Sequence, residues 1–447
     1  MKKILIITMI AVFMVSMILV GTSCKPEAVP AEGITQVEKA KETVPAEKIE
    51  KKKIVIWHIQ TMAPELIQNA VDRFMAKNTD VEVEVVPVQD DALKTKLKVA
   101  MGAGNTPDIF PHWTGGPMVE YIKSGQIMDL TEMMNKDNYK DYFLDAGISQ
   151  ATYNDRIWAV PVEGVAIGVI FYNKQIFKDL NIAIPKTYDE LIKIIKLIRS
   201  KGIAPFALAN KTKWTGSIHY MYLVDRLGGP EVFSNAANRE GGSFEDEVFI
   251  KAGVMLQDLV KIGAFNEGFN GLDYDTGQSR TLIYSGDAAM ELMGNWDLTS
   301  YSSENPEFFK NNLDFFLYPA IEGGKGNPKD VVGTIGDNFY SISSTCKYPE
   351  EAFRLIQFLI DEESVKERAA AHRIPPIKGF TPEAPTEQKI MSMLEDASSV
   401  QLWYDQYLPP ELGEVHLDTC QALLGLVMTP EEAAKTLEDA AKKFYKE

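Results

Sequence analysis

The chain has 447 residues, with 63 acidic against 46 basic side chains and a formal charge of −17. Binding nucleic acid through counterion release needs the opposite sign, so nucleic acid is not expected as a partner. Forty-five per cent apolar residues and six tryptophans describe a globular chain, and the length calls for two lobes rather than one core.

Met1-Lys2-Lys3 precede the apolar run ILIITMIAVFMVSMILV (4–20), and GTSC follows, ending on Cys24. A positive start, an apolar middle and small residues before a cut read as a secretion signal over 1–23. The run also approaches the roughly 20 residues that span a bilayer, so an uncleaved anchor is the alternative. The small residues before Cys24 resemble the bacterial lipobox, although Gly21 stands where that pattern usually has Leu. The resemblance implies cleavage before a lipidated Cys24 and attachment to the membrane at the cell surface or in the periplasm. From 24 to 51, and on to Lys53, the sequence is rich in Pro, Glu, Lys and Ala without an aromatic residue. Such a segment cannot bury enough surface to offset its ordering entropy and is expected to be a disordered tether. Cys346 and Cys420 have no CxxC spacing and give no metal framework, and a disulfide between them is neither implied nor excluded.

The globular part begins with KIVIWHI (53–59), a β-rich run, then PELIQNAVDRFMAKN (64–78) with helical spacing. VEVEVVPV (81–88) alternates as a strand, ALKTKLKVAMGAG (92–104) is a helix stopped by glycine, and PDIFPHW (107–113) is a strand ending at His112 and Trp113. Strands alternating with helices predict an α/β fold of mainly parallel sheets, with ligands beyond the carboxyl ends of strands. Thr187 and Glu190 have capping-box spacing ahead of an amphipathic helix, and Thr429 and Glu432 repeat the device near the C-terminus. GDAAMELMGNW (286–296) reads as a short helix running into Gly294, Asn295 and Trp296.

Several stretches, taken in order, resemble the family 1 extracellular solute-binding proteins of bacterial ABC importers. They are KTKLKVAMGAGNTPDIF (94–110), DRIWAVPVEGVAIGVIFYNKQIFKDLNIAIPKTYDEL (155–191), LIYSGDAAMELMGNW (282–296), VVGTIGDNFYSISSTCKYPEEAFRLIQFL (331–359), and PPIKG (375–379) with TPEEAAKTLEDAAKKF (429–444). The resemblance implies a two-lobed, periplasmic-binding-protein type II fold, each lobe a mainly parallel sheet flanked by helices and joined by a hinge. It implies three crossings, at WAVPVEGVAIG, near Phe316 to Ala320 and near Ile360 to Val365. The first lobe would be 52–163 plus 320–361, and the second 168–316 plus 365–447. Gly164 and Gly168 suit a hinge, since glycine absorbs backbone change.

The family's stacking tryptophan corresponds to Trp296, and an indole face matches the C–H face of a pyranose. The alternative is a packing residue at a helix end. His58, His112 and Trp113 follow strand ends of the first lobe, and Glu163 lies at the hinge, where its carboxylate can accept hydroxyl hydrogen bonds. Either histidine can equally be a loop residue, and Glu163 a solvated one. On the second lobe Trp214, Asp273 and Tyr274 are candidates. Asp337 and Asn338 end a strand, and Trp403 with Tyr404 is an aromatic pair that serves either a site or a core. A carbohydrate ligand, ABC permease subunits, a lipid anchor and a monomeric chain are expected, with no cofactor and no catalysis. No Gly-x-Ser-x-Gly elbow or HExxH spacing is present. A secreted glycoside hydrolase and a phosphate-ester binder are the rival readings; the second requires free Arg, Lys or a helix N-terminus.

Overall fold

This computed structural model describes residues 51–59 and 65–446. Cys24, with the leader and the tether expected up to residue 50, lies outside the described residues, whereas Lys52 and Lys53, expected to end the tether, already belong to the first strand. Among the described residues no helix is long and apolar enough to cross a membrane.

The strands, in chain order, are β1 (Lys52–Ile59), β2 (Val81–Val88), β3 (Ile109–His112), β4 (Thr152–Tyr153), β5 (Arg156–Ile157), β6 (Val160–Pro161), β7 (Gly164–Asn173), β8 (Ala204–Phe206), β9 (Ala288–Gly294), β10 (Leu313–Phe316), β11 (Val331–Gly336), β12 (Phe339–Ile342) and β13 (Val400–Gln401). One large sheet has the order β2-β1-β3-β12-β6, the other β13-β11-β7-β9-β8 with β10 also on β7, and β4 pairs with β5 apart from both. Each carries its own core. Ile54, Phe74, Leu97, Phe110 and Ile356 belong to the first, and Phe171, Leu191, Phe206, Met290 and Leu412 to the second. Burial of these apolar faces against flanking helices is the main stabilising term of each lobe.

The sheets are mixed rather than mainly parallel. β1 runs parallel to β2 and β3, linked by helices as a parallel pair requires. β12 and β7 enter their sheets from the opposite lobe. They therefore run against their neighbours: β12 against β3 and β6, and β7 against β9, β10 and β11.

Residues 288–294 are a strand, not the helix expected over 286–296. Ala, Met, Leu and Glu favour helix in isolation. All seven residues of β9 are buried, however, between β7 on one edge and β8 on the other. Burial on both faces of a central strand overrides local propensity. The helix of this region is Gln278–Ser285, which stops at Gly286.

Two of the three crossings lie elsewhere than expected. The first runs from β6 to β7 through Val162–Glu163. The second joins β11 to β12 through Asp337–Asn338 rather than near Phe316 to Ala320, because β11 pairs with β7. Gly164 and Gly336 face each other across that pairing at φ 126° and 133°, a region open essentially to glycine alone. The third lies beyond Ile360 to Val365, since helix Glu362–Ala370 still packs on helix Glu65–Lys77 of the first lobe. There Arg73 pairs with Asp361 at 3.2 Å and Glu367 at 3.0 Å. Ile374 then packs in the second core and Ile377 in the first, so the chain is stitched to both lobes here.

Both expected capping boxes form, Thr187 with Glu190 and Thr429 with Glu432. Cys346 and Cys420 are free buried thiols, one in each core.

Candidate functional site between the lobes

Trp296 follows β9 directly, and three local features fix it. A β-carbon on Gly294 would lie 2.1 Å from Cζ3 of Trp296, so the indole lies over a position that only glycine can occupy. Asn295 holds the strand end: its Oδ1 accepts from the Ile167 amide at 2.6 Å and its Nδ2 donates to the Val165 carbonyl at 3.1 Å. The indole Nε1 donates to the Tyr274 hydroxyl at 2.8 Å, which donates to Asp297 at 2.6 Å. Burial and the Asp297 carboxylate push the Tyr274 hydroxyl well above its ordinary pKa, which keeps it a donor. Arg280 holds Asp297 at 3.4 Å and Glu304 at 2.8 Å from behind.

Around Trp296 stand two more indoles in edge-to-face contact, Trp214 at 5.9 Å and Trp403 at 5.7 Å between ring centroids. Trp214 opens helix Trp214–Gly228, and Trp403 leads from β13 into the short helix Tyr404–Tyr407. Trp113, at the end of β3, faces them from the first lobe with Lys94 Nζ 4.9 Å above its ring. These four tryptophans, with Tyr274, Asp337 and Asn338, line a cavity of about 280 Å³ between the lobes.

Lys94, Lys211 and Lys213 line it too. Each is closed by a carboxylate: Lys94 by Asp405 at 3.0 Å, Lys211 by Asp273 at 2.8 Å, and Lys213 by Asp418 at 2.5 Å. The Lys94–Asp405 pair joins the lobes, since Lys94 lies in helix Asp90–Gly102 beside the first core and Asp405 follows Tyr404 of the second. Asp337 is half-buried at the second crossing, in the left-handed region at φ 46°. Burial pushes its carboxyl up to about 7, against the pull of Arg373.

The other expected site residues have different surroundings. His112 is fully buried; its Nδ1 donates to the Trp113 carbonyl at 2.8 Å and its Nε2 meets Ser341 Oγ at 2.7 Å. Burial lowers it to about 4, so it is a neutral core residue that orients the Trp113 backbone. His58 is likewise buried, with Nδ1 on the Ile59 carbonyl at 3.1 Å. Glu163 is not solvated: its Oε2 accepts from Arg368 and Arg373, each at 2.6 Å. Asp273 caps the turn Tyr274–Thr276 and pairs with Lys211. Tyr404 stacks on Phe233 in the core, with centroids 3.4 Å apart. Lys94, Lys211, Thr212, Lys213 and Asp405 also line the cavity and carry no signal in the sequence. Thr212 and Lys213 sit beside Trp214, and Asp405 beside Tyr404, but no spacing rule marks residues that converge only through the fold.

Residues 60–366 match the model of the family described as bacterial extracellular solute-binding protein. The chain belongs to that family. A solved structure from work on xylan utilisation by Caldanaerobius polysaccharolyticus superposes with a TM-score of 0.81 at 31% identity, covering 87% of this chain and 99% of that one. A chitin oligosaccharide binding protein gives 0.81 at 25% identity, with 88% and 99% coverage. The multiple sugar-binding protein of Streptococcus mutans is 23% identical, over 85% of this chain and 86% of that protein. The galactooligosaccharide-binding protein of Bacillus subtilis is 24% identical, over 87% and 88%. The two-lobed α/β architecture is that of the type II periplasmic binding proteins.

Proposed function

We propose that this solute-binding protein is the carbohydrate-binding component of an ABC importer, anchored through a lipidated Cys24 and passing an oligosaccharide to membrane permease subunits. The observation that carries the reading is the aromatic wall of Trp214, Trp296 and Trp403 facing Trp113 across the cavity. Flat indoles lose little entropy on contact and match the apolar faces of pyranose rings. The sugar-binding relatives support it. In this reading the lobes are the two sheets with their helices, hinged at Val162–Glu163, Asp337–Asn338 and Ile374–Ile377. Trp113, Trp214, Tyr274, Trp296, Asp337, Asn338 and Trp403 face the ligand, while His58, His112, Glu163, Asp273 and Tyr404 hold the frame. The protein acts as a monomer and catalyses no reaction.

A thermal-shift screen of the purified chain against oligosaccharides tests the reading. A ligand that binds only the folded state, at 100 times its Kd, adds about 2.7 kcal/mol of stability. A raised melting temperature with an intact saccharide supports it. Shorter products would instead indicate a hydrolase, and no shift with any saccharide would remove the carbohydrate assignment. Cys24→Ala is expected to release the protein from the membrane fraction or leave it uncleaved; unchanged cleavage and association would end the lipoprotein reading.

A further inference from the structure

We propose that the cavity takes an uncharged, hydroxyl-bearing saccharide, and that Thr212, Asn338 and Trp403 are the residues that read its hydroxyl pattern. The inference rests on the carbohydrate reading above and narrows it to one chemical class.

The first ground is charge. Three ammonium groups line the cavity, the arrangement that an anionic ligand such as a uronate or a phosphate ester would use. Each already faces a carboxylate of the protein: Asp405 for Lys94, Asp273 for Lys211, Asp418 for Lys213. An incoming anion would have to share an ammonium already matched by a carboxylate, or displace that carboxylate. Displacing Asp405 would strand a carboxylate whose side chain is only 8% exposed. Asp337 adds a further acidic group on the same lining. An anion therefore meets matched cations and an extra carboxyl, whereas a neutral ligand disturbs none of them.

The second ground is hydrogen bonding. Three buried polar atoms of cavity-lining residues, Thr212 Oγ1, Asn338 Oδ1 and Trp403 Nε1, have no hydrogen-bond partner among the described residues. Buried polar groups are normally paired, so three orphans around one cavity form a recognition pattern. The pattern has a sign. Trp403 Nε1 only donates, Asn338 Oδ1 only accepts, and Thr212 Oγ1 does either. A sugar hydroxyl donates and accepts and so satisfies all three. A carboxylate or phosphate dianion has no proton to give Asn338. Thr212 is held for this role by the tight turn before helix Trp214–Gly228: its carbonyl accepts from the Trp214 amide at 2.8 Å, across Lys213 at φ 66°. Trp403 can thus serve twice, offering a ring face and an N–H.

The test titrates the purified full chain by calorimetry with xylotriose, maltotriose and raffinose as neutral probes, and trigalacturonate and glycerol 3-phosphate as anionic ones. At least one neutral probe is expected to bind about 10-fold or more tighter than either anion. Thr212→Val and Asn338→Leu keep the side-chain shape and remove the orphan group, Trp403→Phe removes the N–H together with part of the ring, and each should weaken that probe by about 5-fold or more. Melting temperatures without ligand should stay level or rise for Thr212→Val and Asn338→Leu, because each removes an unpaired buried atom, whereas Trp403→Phe also leaves a cavity in the second core and should melt lower. Thr212→Ser, which restores the hydroxyl, should bind like the parent. Equal or tighter binding of an anion would overturn the charge argument, and if the anion were trigalacturonate the carbohydrate reading would stand. Three variants that bind like the parent would show the orphan atoms to be served by water and overturn the recognition pattern alone. If neither neutral nor anionic saccharides bind, this inference and the carbohydrate reading fall together.

Discussion

Gly294 and Trp296 are two residues apart, and the indole of the second occupies the space where a side chain on the first would be. The Trp296 ring atoms Cζ3, Cε3 and Cη2 lie 2.1, 2.3 and 2.4 Å from the position of a β-carbon on Gly294. The glycine therefore aims the tryptophan. Gly294→Ala should push the indole off its seat and break its bond to Tyr274, with affinity for a bound oligosaccharide falling by roughly 5-fold to 150-fold, the worth of one aromatic contact. Trp296→Ala should cost the same in affinity. Calorimetry on both variants checks the equivalence. A Gly294→Ala protein with parental affinity would mean that the ring position is irrelevant to binding.

Glu163 ties the first crossing to the third. Burial alone would raise its carboxyl, but Arg368 and Arg373 hold it below the usual range. Both arginines are nearly inaccessible, so Glu163→Leu would strand two buried cations and cost about 3 to 5 kcal/mol in urea unfolding. A depressed carboxylate stabilises the fold above its unfolded pKa, and that contribution is lost as pH falls through the folded value. The deficit of Glu163→Leu should accordingly shrink in acid. A deficit independent of pH would contradict the ion-pair account.

Asp337 has the opposite sign. Burial raises its carboxyl to about 7, so the stability it contributes is present at low pH and is lost as pH rises through that value. Asn is neutral at every pH and tolerates the left-handed backbone at φ 46°. Asp337→Asn should melt at a higher temperature than the parent at pH 8, with the gap narrowing as pH falls and closing only below the ordinary carboxylate value of 3.8. Glu291 and Asp297, also raised by burial, leave a residual slope in both proteins. Parallel melting curves across pH 5 to 8 would rule out ionisation of Asp337 in this range.

Lys94 and Asp405 join the lobes, and the carboxylate is the buried partner. Lys94→Met removes the bridge and leaves Asp405 uncompensated. Opening should become easier, seen as a larger radius of gyration by small-angle scattering and a dissociation rate raised by about 3-fold to 10-fold. Unchanged scattering with an unchanged rate would show that closure does not depend on this pair.

Much of the frame was legible because it is written in local chemistry. Val81 and Val83 point inward and Glu82 and Glu84 outward on β2, and the two Thr/Glu capping boxes form as spaced. The ordered motifs gave the family and singled out Trp296 at its stacking position, while Trp113, Trp214 and Trp403 stood only as separate candidates. β9 was misread because its composition favours helix while its burial, a tertiary fact, demands strand. The second crossing was misplaced because nothing local tells β11 to pair with β7. The lysine–carboxylate pairs were invisible for the same reason: Lys94 and Asp405 meet only when the lobes do.

The most direct test of binding on this aromatic wall is a crystal structure of the full chain with the saccharide that binds it most tightly. The account predicts a pyranose ring between the lobes, its carbon face about 3.5 to 4.0 Å from the Trp296 indole. A saccharide bound tightly elsewhere, with Trp296 untouched and the cavity filled by solvent, would contradict it.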